Sequence, residues 1–320
     1  MSVSEFQLIQ RYFSSLGQSR GDVILGIGDD CALLRPRPEE ALAVSIDTLV
    51  EGVHFSPGDD PESLGHKALA VNLSDLAACG AEPAWATLAI ALPGVNTERL
   101  QWLAGFASGF DALARRYGVS LVGGDTTRGA LSITVQVHGF VPDALALRRD
   151  GAREGDGIYL SGMVGDAALA LRRRQGVDIG GGDFSDLEAR LHRPEPRLAL
   201  GSQLRGVATA AIDVSDGLAA DLGHILERSG VGATLDLSAL PLSPIVAAFV
   251  TRHDDWALPL SGGDDYELCF TASNQHRARL AQLGCHRIGR VTAEPGLRCL
   301  RPDGEIFAPL VSGYEHFRHD

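Results

Sequence analysis

Lysine is almost absent from this chain: Lys67 is the only lysine among 28 lysine and arginine residues. The sequence G-x-x-x-x-G-K-[ST] does not occur, which excludes a P-loop nucleotide site. The formal net charge is −13 at pH 7, and this excess of acid argues against a nucleic-acid surface or an anionic membrane as a partner. A phosphate ligand would be repelled as well, unless metal ions neutralise the charges.

Paired cysteines and long apolar runs are also absent. The five cysteines are scattered and form no C-x-x-C pair, so the pattern predicts reduced thiols rather than a disulfide framework or a zinc site. No uninterrupted apolar run approaches the ~18 residues of a membrane span. The first ten residues lack the pattern of a secretory signal. We therefore expect a cytoplasmic protein.

The composition is that of a folded globular protein. Of 320 residues, 45% are hydrophobic and 22% are charged, and this length allows one large domain or two medium ones. Strand and helix patterns alternate throughout, which predicts an α/β or α+β class. The chain becomes polar between residues 142 and 157, so we expect two domains, 1–142 and 143–320.

Hydrophobic periodicity predicts the main elements. In the first half it predicts a helix after a capping box at Ser4, helices starting at Pro61 and spanning 97–117, and strands at 42–49, 85–92, 119–122 and 131–140. In the second half it predicts helices at 165–174, 197–205 and 217–229, strands at 207–212, 232–237 and 266–270, and a surface loop at 176–186. Strands 42–49, 85–92 and 131–140 have more apolar positions than one packed face requires, which predicts a sheet face open to a partner.

Six acidic clusters recur along the chain, each beside a glycine or another small residue. Most follow an apolar stretch, so the carboxylates stand where elements end and loops can converge. Carboxylates gathered in one place repel each other unless cations separate them. Hard oxygen ligands of this kind suit Mg²⁺, which bridges carboxylates to phosphates. The clusters are Gly28-Asp29-Asp30, Ser45-Ile46-Asp47, Asn72-Leu73-Ser74-Asp75, Gly123-Gly124-Asp125, Asp213-Val214-Ser215-Asp216-Gly217 and Gly262-Gly263-Asp264-Asp265.

Taken one at a time, these residues have simpler explanations. Asp30 or Asp47 alone is more often a turn residue or a helix cap than a metal ligand. His54 alone is an ordinary loop histidine, and Arg149 alone is a solvated charge. Six clusters of the same style are hard to explain as six independent turns, so their combination favours a metal-dependent site for an anionic substrate.

The clusters lie within longer motifs that together resemble the thiamine-monophosphate kinase family. The resemblance extends from about Phe6 to the terminal Gly313-Tyr314-Glu315-His316-Phe317 and so covers nearly the whole chain. The motifs occur in one order, at residues 26–32, 45–55, 67–78, 122–127, 213–218 and 261–268.

The resemblance implies both a fold and a reaction. The implied fold is the two-lobed one of aminoimidazole ribonucleotide synthetase, with an N-terminal lobe whose sheet pairs across a homodimer. The implied enzyme is a kinase that transfers the γ-phosphoryl group of ATP directly to thiamine monophosphate, giving thiamine diphosphate, with several Mg²⁺ ions and no covalent nucleophile on the protein.

The resemblance also implies roles for individual residues. The implied metal ligands are Asp30, Ser45, Ile46 (through its carbonyl), Asp47, Asp75, Asp125, Asp213 and Asp216. The implied nucleotide contacts are Gly124, Asp125, Arg149 and Ser215, and the implied substrate contacts are His54, Asp264 and Phe317. Two positions depart from the family pattern. Ile46 stands where threonine is frequent, and Asp264 stands where glutamate is common, so that its shorter side chain must reach further.

Two other functions stay open from the sequence. Another ATP-dependent enzyme of the same superfamily, such as the ribonucleotide synthetase or selenophosphate synthetase, would have related clusters. Selenophosphate chemistry calls for a reactive N-terminal cysteine with a lysine nearby, and no lysine precedes Lys67. The second open function is that of a metal-loaded maturation protein that catalyses no reaction. The hydrogenase-maturation relative uses a C-terminal cysteine, whereas this chain ends Phe317-Arg318-His319-Asp320.

Overall fold

A computed structural model describes residues 4–308 of the chain. The described residues form two compact units, one comprising 4–76 and 81–144, the other 77–80 and 145–308. Helices and strands are mixed in both units, which confirms the predicted class. None of the described helices is long and apolar enough to cross a bilayer.

The first unit is built on a four-stranded sheet with the order β3-β6-β4-β5. β4 and β5 run parallel, and the other neighbours are antiparallel, so β3 and β5 are the edge strands. β1 and β2, which precede β3 in the sequence, form a separate two-stranded sheet. The elements are α1 (Glu5–Leu8, continued by a π-helical turn Ile9–Phe13), β1 (Val23–Leu25), β2 (Leu33–Leu34), β3 (Ala41–Val50), α2 (Pro61–Ala78), β4 (Glu82–Leu92), α3 (Thr97–Arg116), β5 (Ser120–Arg128) and β6 (Ser132–Val141).

Side-chain caps fix the starts of the helices in this unit. The predicted capping box of Ser4 is present, with reciprocal hydrogen bonds between Ser4 and Gln7. α2 begins at Pro61, and Asp60 Oδ2 accepts a hydrogen bond from Ser63 N at 2.9 Å. These contacts confirm the starts predicted from the sequence.

One face of the four-stranded sheet is packed. The opposite face is covered at one end, where Trp85 and Phe140 are buried against Val23, Ala32 and Leu34, and is open along β3. Alternate residues such as Leu88, Val135 and Val137 are buried on the packed face. On the open face of β3, Leu42, Val44 and Ile46 are 46%, 50% and 58% exposed. The alternation follows from the period of two along a strand, and it confirms for β3 the prediction of apolar residues beyond those that one packed face requires. The same prediction is wrong for the middle of β6, where His138 and Gln136 pair with Val44 and Ile46 on this face.

β5 is longer than predicted. The sequence indicates a strand at 119–122 that ends before Gly123-Gly124-Asp125, whereas β5 continues to Arg128 and contains this cluster. Its pairing with β4 shifts between Ala86 and Thr87. Glycine is a poor strand former, so the strand pattern in the sequence stops at Gly123. The backbone of β5 nevertheless stays paired with β4 beyond this point.

The second unit is built on a seven-stranded sheet with the order β13-β12-β9-β11-β7-β10-β8. Ile158, Ile212, Leu222, Leu235 and Ile288 are fully buried within its main core. The elements are β7 (Gly157–Leu160), α4 (Asp166–Arg174), α5 (Ser185–His192), α6 (Leu198–Leu204), β8 (Ala208–Asp213), α7 (Leu218–Ser229), β9 (Gly232–Asp236), α8 (Pro244–His253), α9 (Ala257–Ser261), β10 (Leu268–Ala272), α10 (Arg277–Gln282), β11 (His286–Thr292), β12 (Gly296–Leu300) and β13 (Ile306–Phe307).

Candidate active site

Three of the predicted metal ligands follow one another on the edge strand β3. Ser45 and Asp47 pair with Val137 and Val135 of β6. Because both valines are buried, Ser45 and Asp47 share their packed face, where both are half-buried. Ile46 points to the open face, so any ligand role of this residue falls to its backbone carbonyl.

The structure joins Ser45 directly to another predicted ligand, Asp75 of α2. Ser45 Oγ donates a hydrogen bond to Asp75 Oδ2 at 2.5 Å. Asp75 lies in the last turn of α2, which ends at Ala78. The contact places a hydroxyl and a carboxylate side by side next to Asp47, which is two residues further along β3. These three residues are called the β3 cluster below.

Asp30 lies in an exposed turn between β1 and β2. Gly28 has φ +124°, a conformation that side chains rarely allow. Asp29 Oδ1 accepts a hydrogen bond from Asp30 N at 2.8 Å. Within the described residues the Asp30 side chain forms no hydrogen bond, so its carboxylate is open to solvent.

Gly124 and Asp125 lie on the other edge strand, β5. Gly124 is paired with Leu88 and has φ +152°, and a Cβ there would lie 1.8 Å from Leu88 O. Only glycine therefore fits this position. Asp125 follows and is exposed, so the tight backbone at Gly124 presents a carboxylate at the outer edge of the sheet.

The β3 cluster and Asp125 are not brought together within one copy of this sheet. The pairings give a row across it from Asp47 through Val135 and Leu88 to Gly124. Three strand spacings of about 4.8 Å separate the two ends of the row by about 14 Å. The β3 cluster and Asp125 therefore lie at opposite edges of the sheet, and Asp30 belongs to neither edge, because it lies in the turn between β1 and β2.

His54 lies in a tight turn directly after β3. His54 Nδ1 accepts a hydrogen bond from Val50 N at 3.0 Å, and the turn is closed by Gly52 N donating to Phe55 O at 2.8 Å. Because Nδ1 accepts, the neutral ring carries its proton on Nε2. The turn thus fixes the orientation of His54, a predicted substrate contact that lies seven residues after Asp47.

In the second unit, two predicted loops are held against each other. Asp213, almost fully buried, ends β8, and the loop 214–217 connects it to α7. Asp264 N donates to Ser215 O at 2.9 Å, and Tyr266 N donates to Val214 O at 2.8 Å. A predicted nucleotide contact and a predicted substrate contact, Ser215 and Asp264, are thereby adjacent.

Asp221, which sequence reasoning missed, organises this loop. Its Oδ2 accepts hydrogen bonds from the backbone N–H groups of Ser215, Asp216 and Gly217 at 3.0, 3.1 and 3.1 Å. Burial raises the pKa of Asp221 to about 7, the charge of Asp216 adds to this, and the three hydrogen bonds oppose it. The N-terminus of α7 is therefore occupied by a carboxylate of the chain itself, although free helix N-termini commonly bind phosphate.

The turn that carries Asp264 is conformationally strained. Asp264 and Tyr266 have φ values of +67° and +50°, which are unusual for residues with side chains and typical of functional sites. The Tyr266 hydroxyl donates to Asp264 Oδ1 at 2.9 Å. This contact orients the carboxylate that stands where the family commonly has glutamate.

A buried charged network lies behind the turn. Glu267 is fully buried, and it pairs with Arg190 (3.0 Å) and with Arg197 (Nε to Oε2, 2.7 Å) and accepts a hydrogen bond from Ser161 (2.5 Å). Asp265 Oδ1 accepts from Gly165 N at 2.9 Å, and burial raises the pKa of Asp265 well above its usual value. The sequence shows Glu267 within a motif but gives no sign of its arginine partners.

The predicted nucleotide contact Arg149 lies at the surface of the second unit. Arg149 is exposed, and its carbonyl accepts a hydrogen bond from Ser229 Oγ at 3.1 Å. The neighbouring Arg148 pairs with Asp150 at 2.5 Å. Phe317 lies outside the described residues.

The chemistry of the donors suits Mg²⁺, because carboxylates, a hydroxyl and a carbonyl are hard oxygen ligands. In residues 4–308, no group of three or more His, Cys, Asp or Glu side chains is placed to hold a metal ion.

Comparisons with known proteins identify the family of the chain. Residues 28–141 match the model of the AIR synthase related protein N-terminal domain, and residues 153–300 match that of the C-terminal domain. The thiamine-monophosphate kinase of Escherichia coli (strain K12) is 47% identical over 327 residues, which cover 99% of each chain.

Solved structures show the same similarity. The crystal structure of thiamine-monophosphate kinase from Stenotrophomonas maltophilia has a TM-score of 0.82 and 46% identity, covering 95% of this chain and 98% of that one. AaThiL complexed with AMPPCP and TMP has a TM-score of 0.78 and 31% identity, covering 88% and 89%. The two domain matches and the identity over the full length show that the chain belongs to the thiamine-monophosphate kinase family, which has the AIR synthase-related fold.

Proposed function

We propose that this chain transfers the γ-phosphoryl group of ATP to the phosphate of thiamine monophosphate, giving thiamine diphosphate and ADP. The observation that carries the proposal is the 47% identity to a thiamine-monophosphate kinase over 99% of both chains. It is supported by AaThiL, which is 31% identical and was solved with AMPPCP and TMP. The acidic clusters provide oxygen ligands for the cations that such a reaction needs for charge neutralisation.

Several Mg²⁺ ions are part of this proposal. Two like charges 4 Å apart cost about 4 kcal/mol at an effective dielectric of about 20, and a chain of net charge −13 must bind two phosphorylated ligands. When bound, Mg²⁺ would neutralise the phosphates and align them. The residues proposed to hold it are Asp30, Ser45, the Ile46 carbonyl, Asp47, Asp75, Asp125, Asp213 and Asp216.

The remaining predicted residues have binding roles in the proposal. Gly124, Asp125, Arg149 and Ser215 contact the nucleotide, and the exposed Arg149 guanidinium supplies an organic cation. His54, Asp264 and Phe317 contact thiamine monophosphate. The carboxylate of Asp264, held by the Tyr266 hydroxyl, can balance the positive charge of the thiazolium ring.

The transfer is proposed to be direct, because a loose phosphoryl-transfer transition state needs alignment and charge neutralisation more than a nucleophile on the protein. The buried cysteines are unsuited to covalent catalysis. Burial raises the pKa of Cys285 to about 11 and that of Cys299 to about 12, and it raises the pKa of Cys269 further. A thiol attacks as its thiolate, and these thiols stay protonated at neutral pH.

The protein is proposed to act in the cytoplasm as a homodimer, with domain 1–142 providing the dimer contact as well as metal and nucleotide ligands. The open apolar face of β3 supports the dimer, since exposed apolar patches mark association sites. The scattered cysteines, which form no disulfide in the described part of the chain, suit a reducing compartment.

The test of the function is ³¹P NMR of a reaction containing ATP, Mg²⁺ and thiamine monophosphate. We expect new diphosphate signals of thiamine diphosphate together with ADP, and no product without Mg²⁺. Aminoimidazole ribonucleotide precursors and selenide serve as alternative reactants in parallel. ATP consumption only with one of these, or release of free phosphate without thiamine diphosphate, would contradict the proposal.

A further inference from the structure

We propose that Arg190 and Arg197 are positioning residues for the substrate contact Asp264, and that they act through the buried Glu267. The inference rests on the proposed function, because it takes Asp264 as a contact of thiamine monophosphate. It gives a role in substrate binding to two arginines outside the six acidic clusters, one on α5 and the other directly before α6.

The turn that carries Asp264 needs external contacts to keep its shape. Asp264 and Tyr266 have φ values of +67° and +50°, in the left-handed region that residues with side chains rarely adopt. Such a conformation persists only where the surrounding structure enforces it. A change in those surroundings would therefore move the Asp264 carboxylate.

The backbone contacts of the turn join it to another loop. Asp264 N donates to Ser215 O at 2.9 Å, and Tyr266 N donates to Val214 O at 2.8 Å. Both acceptors belong to the connection between β8 and α7. These bonds hold two loops together, so the position of the pair within the second unit has to be set by contacts with helices and strands.

Glu267 provides such contacts. It follows Tyr266, directly precedes β10 and is fully buried. Its Oε1 accepts hydrogen bonds from Arg190 Nη2 at 3.0 Å and from Arg197 Nη2. Its Oε2 accepts from Arg197 Nε at 2.7 Å and from Ser161 Oγ at 2.5 Å. Each carboxylate oxygen therefore has two donors.

The carboxylate of Glu267 is also confined by the backbone beside it. A Cβ on Gly162 would lie 2.5 Å from Oε1 and 2.7 Å from Oε2, so the carboxylate is packed directly against this glycine. Arg197 donates to both oxygens at once, which fixes the direction of the carboxylate as well as its charge. The ammonium group of lysine is a point charge and cannot reproduce this paired geometry.

The segment that carries the two arginines is itself held in place. Arg190 lies on α5, where Leu191 packs in a hydrophobic cluster with residues of α4. Between the arginines, Pro194 and Pro196 are buried, and each proline ring fixes its own φ. The fold thus sets the positions of the guanidinium groups, and Glu267 transmits them to the turn.

A double-mutant cycle tests whether Arg197 acts through Asp264. Arg197→Lys keeps a positive charge beside Glu267, so the buried carboxylate is not left uncompensated. We expect kcat/KM for thiamine monophosphate at saturating ATP to fall about 10-fold, less than the ~100-fold that a misplacement of about 1 Å can cause. In an Asp264→Asn background the same change should cost less than about twofold, because the charge that Arg197 positions is already absent.

Asp264→Asn suits this cycle because it removes the charge and keeps the turn. Asparagine tolerates positive φ, and its side-chain carbonyl can accept the hydrogen bond that the Tyr266 hydroxyl donates to Asp264 Oδ1. Losses of equal size in both backgrounds would show a general structural effect of Arg197 and would overturn the inference.

Hydrogen exchange of a peptide covering 262–268 reports on the turn without catalysis. The amides of Asp264 and Tyr266 should exchange faster in Arg197→Lys than in wild type. Arg190→Lys, which alters one hydrogen bond to Glu267 rather than two, should show the same changes to a smaller degree, and it replaces Arg197→Lys if that variant does not fold. Unchanged exchange in the folded variants would overturn the inference.

Arg174→Lys is the matched control. Arg174 Nε pairs with Glu188 Oε2 at 3.1 Å, which ties α4 to α5 two residues before Arg190. This variant should keep wild-type kinetics and exchange, and losses like those of Arg197→Lys would show that any disturbance of α5 is sufficient, against the inference. If wild-type protein makes no thiamine diphosphate, the proposed function fails instead, while exchange still shows whether the arginines hold the turn.

Discussion

Asp47 and Asp75 are the residues for which the sequence and the local geometry make the sharpest common prediction. Replacing either by asparagine should lower the turnover number by at least about 100-fold, because one anionic ligand is lost in a reaction governed by charge neutralisation. Thermal stability of the metal-free protein should hold or rise, because like-charge repulsion is relieved. Steady-state kinetics and thermal denaturation without metal measure the two effects.

The control for these variants is Asp236→Asn. Asp236 is exposed in the second unit, where its Oδ1 accepts hydrogen bonds from Ser238 N (3.0 Å) and Ser238 Oγ (2.5 Å). It should lose a little stability and keep its turnover. If Asp47→Asn loses activity only in proportion to the protein that unfolds, Asp47 is a structural residue and the metal assignment is wrong.

A second prediction at this scale concerns Asp265, whose pKa is raised by burial and by the charges of Glu267 and Asp166, against the opposing effects of Gly165 N–H and Arg190. The stability that the neutral carboxyl contributes is present below the ordinary pKa of 3.8 and is lost as pH rises through the raised value. Asparagine does not ionise. The free energy of unfolding of wild type relative to Asp265→Asn should therefore decrease from pH 4.5 to pH 8.

Urea unfolding of both proteins at several pH values measures this difference. An offset that stays constant over the whole range would show that Asp265 does not change its protonation relative to the unfolded chain. Glu267 contacts the same network from the position just before β10, and its ion pairs with Arg190 and Arg197 are present in both proteins.

At the scale of elements, the loop between β8 and α7 depends on one side chain. Asp221→Ala removes the acceptor of three backbone N–H groups, which should release the loop that carries Ser215 and Asp216. Hydrogen exchange of a peptide covering 213–218 should become faster, and kcat/KM for ATP should fall by about 100-fold, as a misplacement of about 1 Å can cause. KM for thiamine monophosphate should rise as well, because Asp264 N is hydrogen-bonded to Ser215 O of this loop.

Asp221→Asn separates the hydrogen bonds from the charge. Its carbonyl oxygen can accept the same three hydrogen bonds, so slow exchange and most of the activity should return. An equal loss of activity in both variants would mean that activity depends on the charge of Asp221 rather than on the hydrogen bonds that it accepts from the loop. Unchanged exchange in Asp221→Ala would show that other contacts fix the loop.

The elements that the sequence predicted well are those with local signals. α2 and α3 have caps and regular apolar spacing, and β3 and β6 alternate, so their bounds agree within a few residues. α5 begins at Ser185, inside the end of a predicted loop, because its helix is stabilised by tertiary packing: Leu187 and Leu191 pack in one cluster with Ala167 and Ala170 of α4. Such contacts leave no local pattern.

The site shows the same division. Asp47, Asp75, Asp213 and Asp264 stand out as acids beside small residues. Other contacts join residues that only the fold brings together. Examples are the hydrogen bonds that Asp221 accepts from the loop and the ion pair between Glu267 and Arg190. Sheet order is also invisible in the sequence, and it is the sheet order that puts the β3 cluster and Asp125 at opposite edges.

For the whole molecule, the open sheet face of the first unit sets the expected oligomeric state. A monomer of 33.8 kDa would leave Leu42, Val44 and Ile46 in water. Burial of apolar area of this kind is the main favourable contribution to association. Sedimentation equilibrium at micromolar concentration should therefore give a species of twice the monomer mass.

Val44→Glu tests which surface forms the contact. Val44 is 50% exposed on the open face of β3, and a two-fold interface receives each substitution twice. With about 1.4 kcal/mol lost at each position, the dimer dissociation constant should rise about 100-fold. Ile306→Glu is the matched control, because Ile306 is 67% exposed on β13 of the second unit and should leave the dimer intact. If only the control variant dissociates, the contact lies on the second unit.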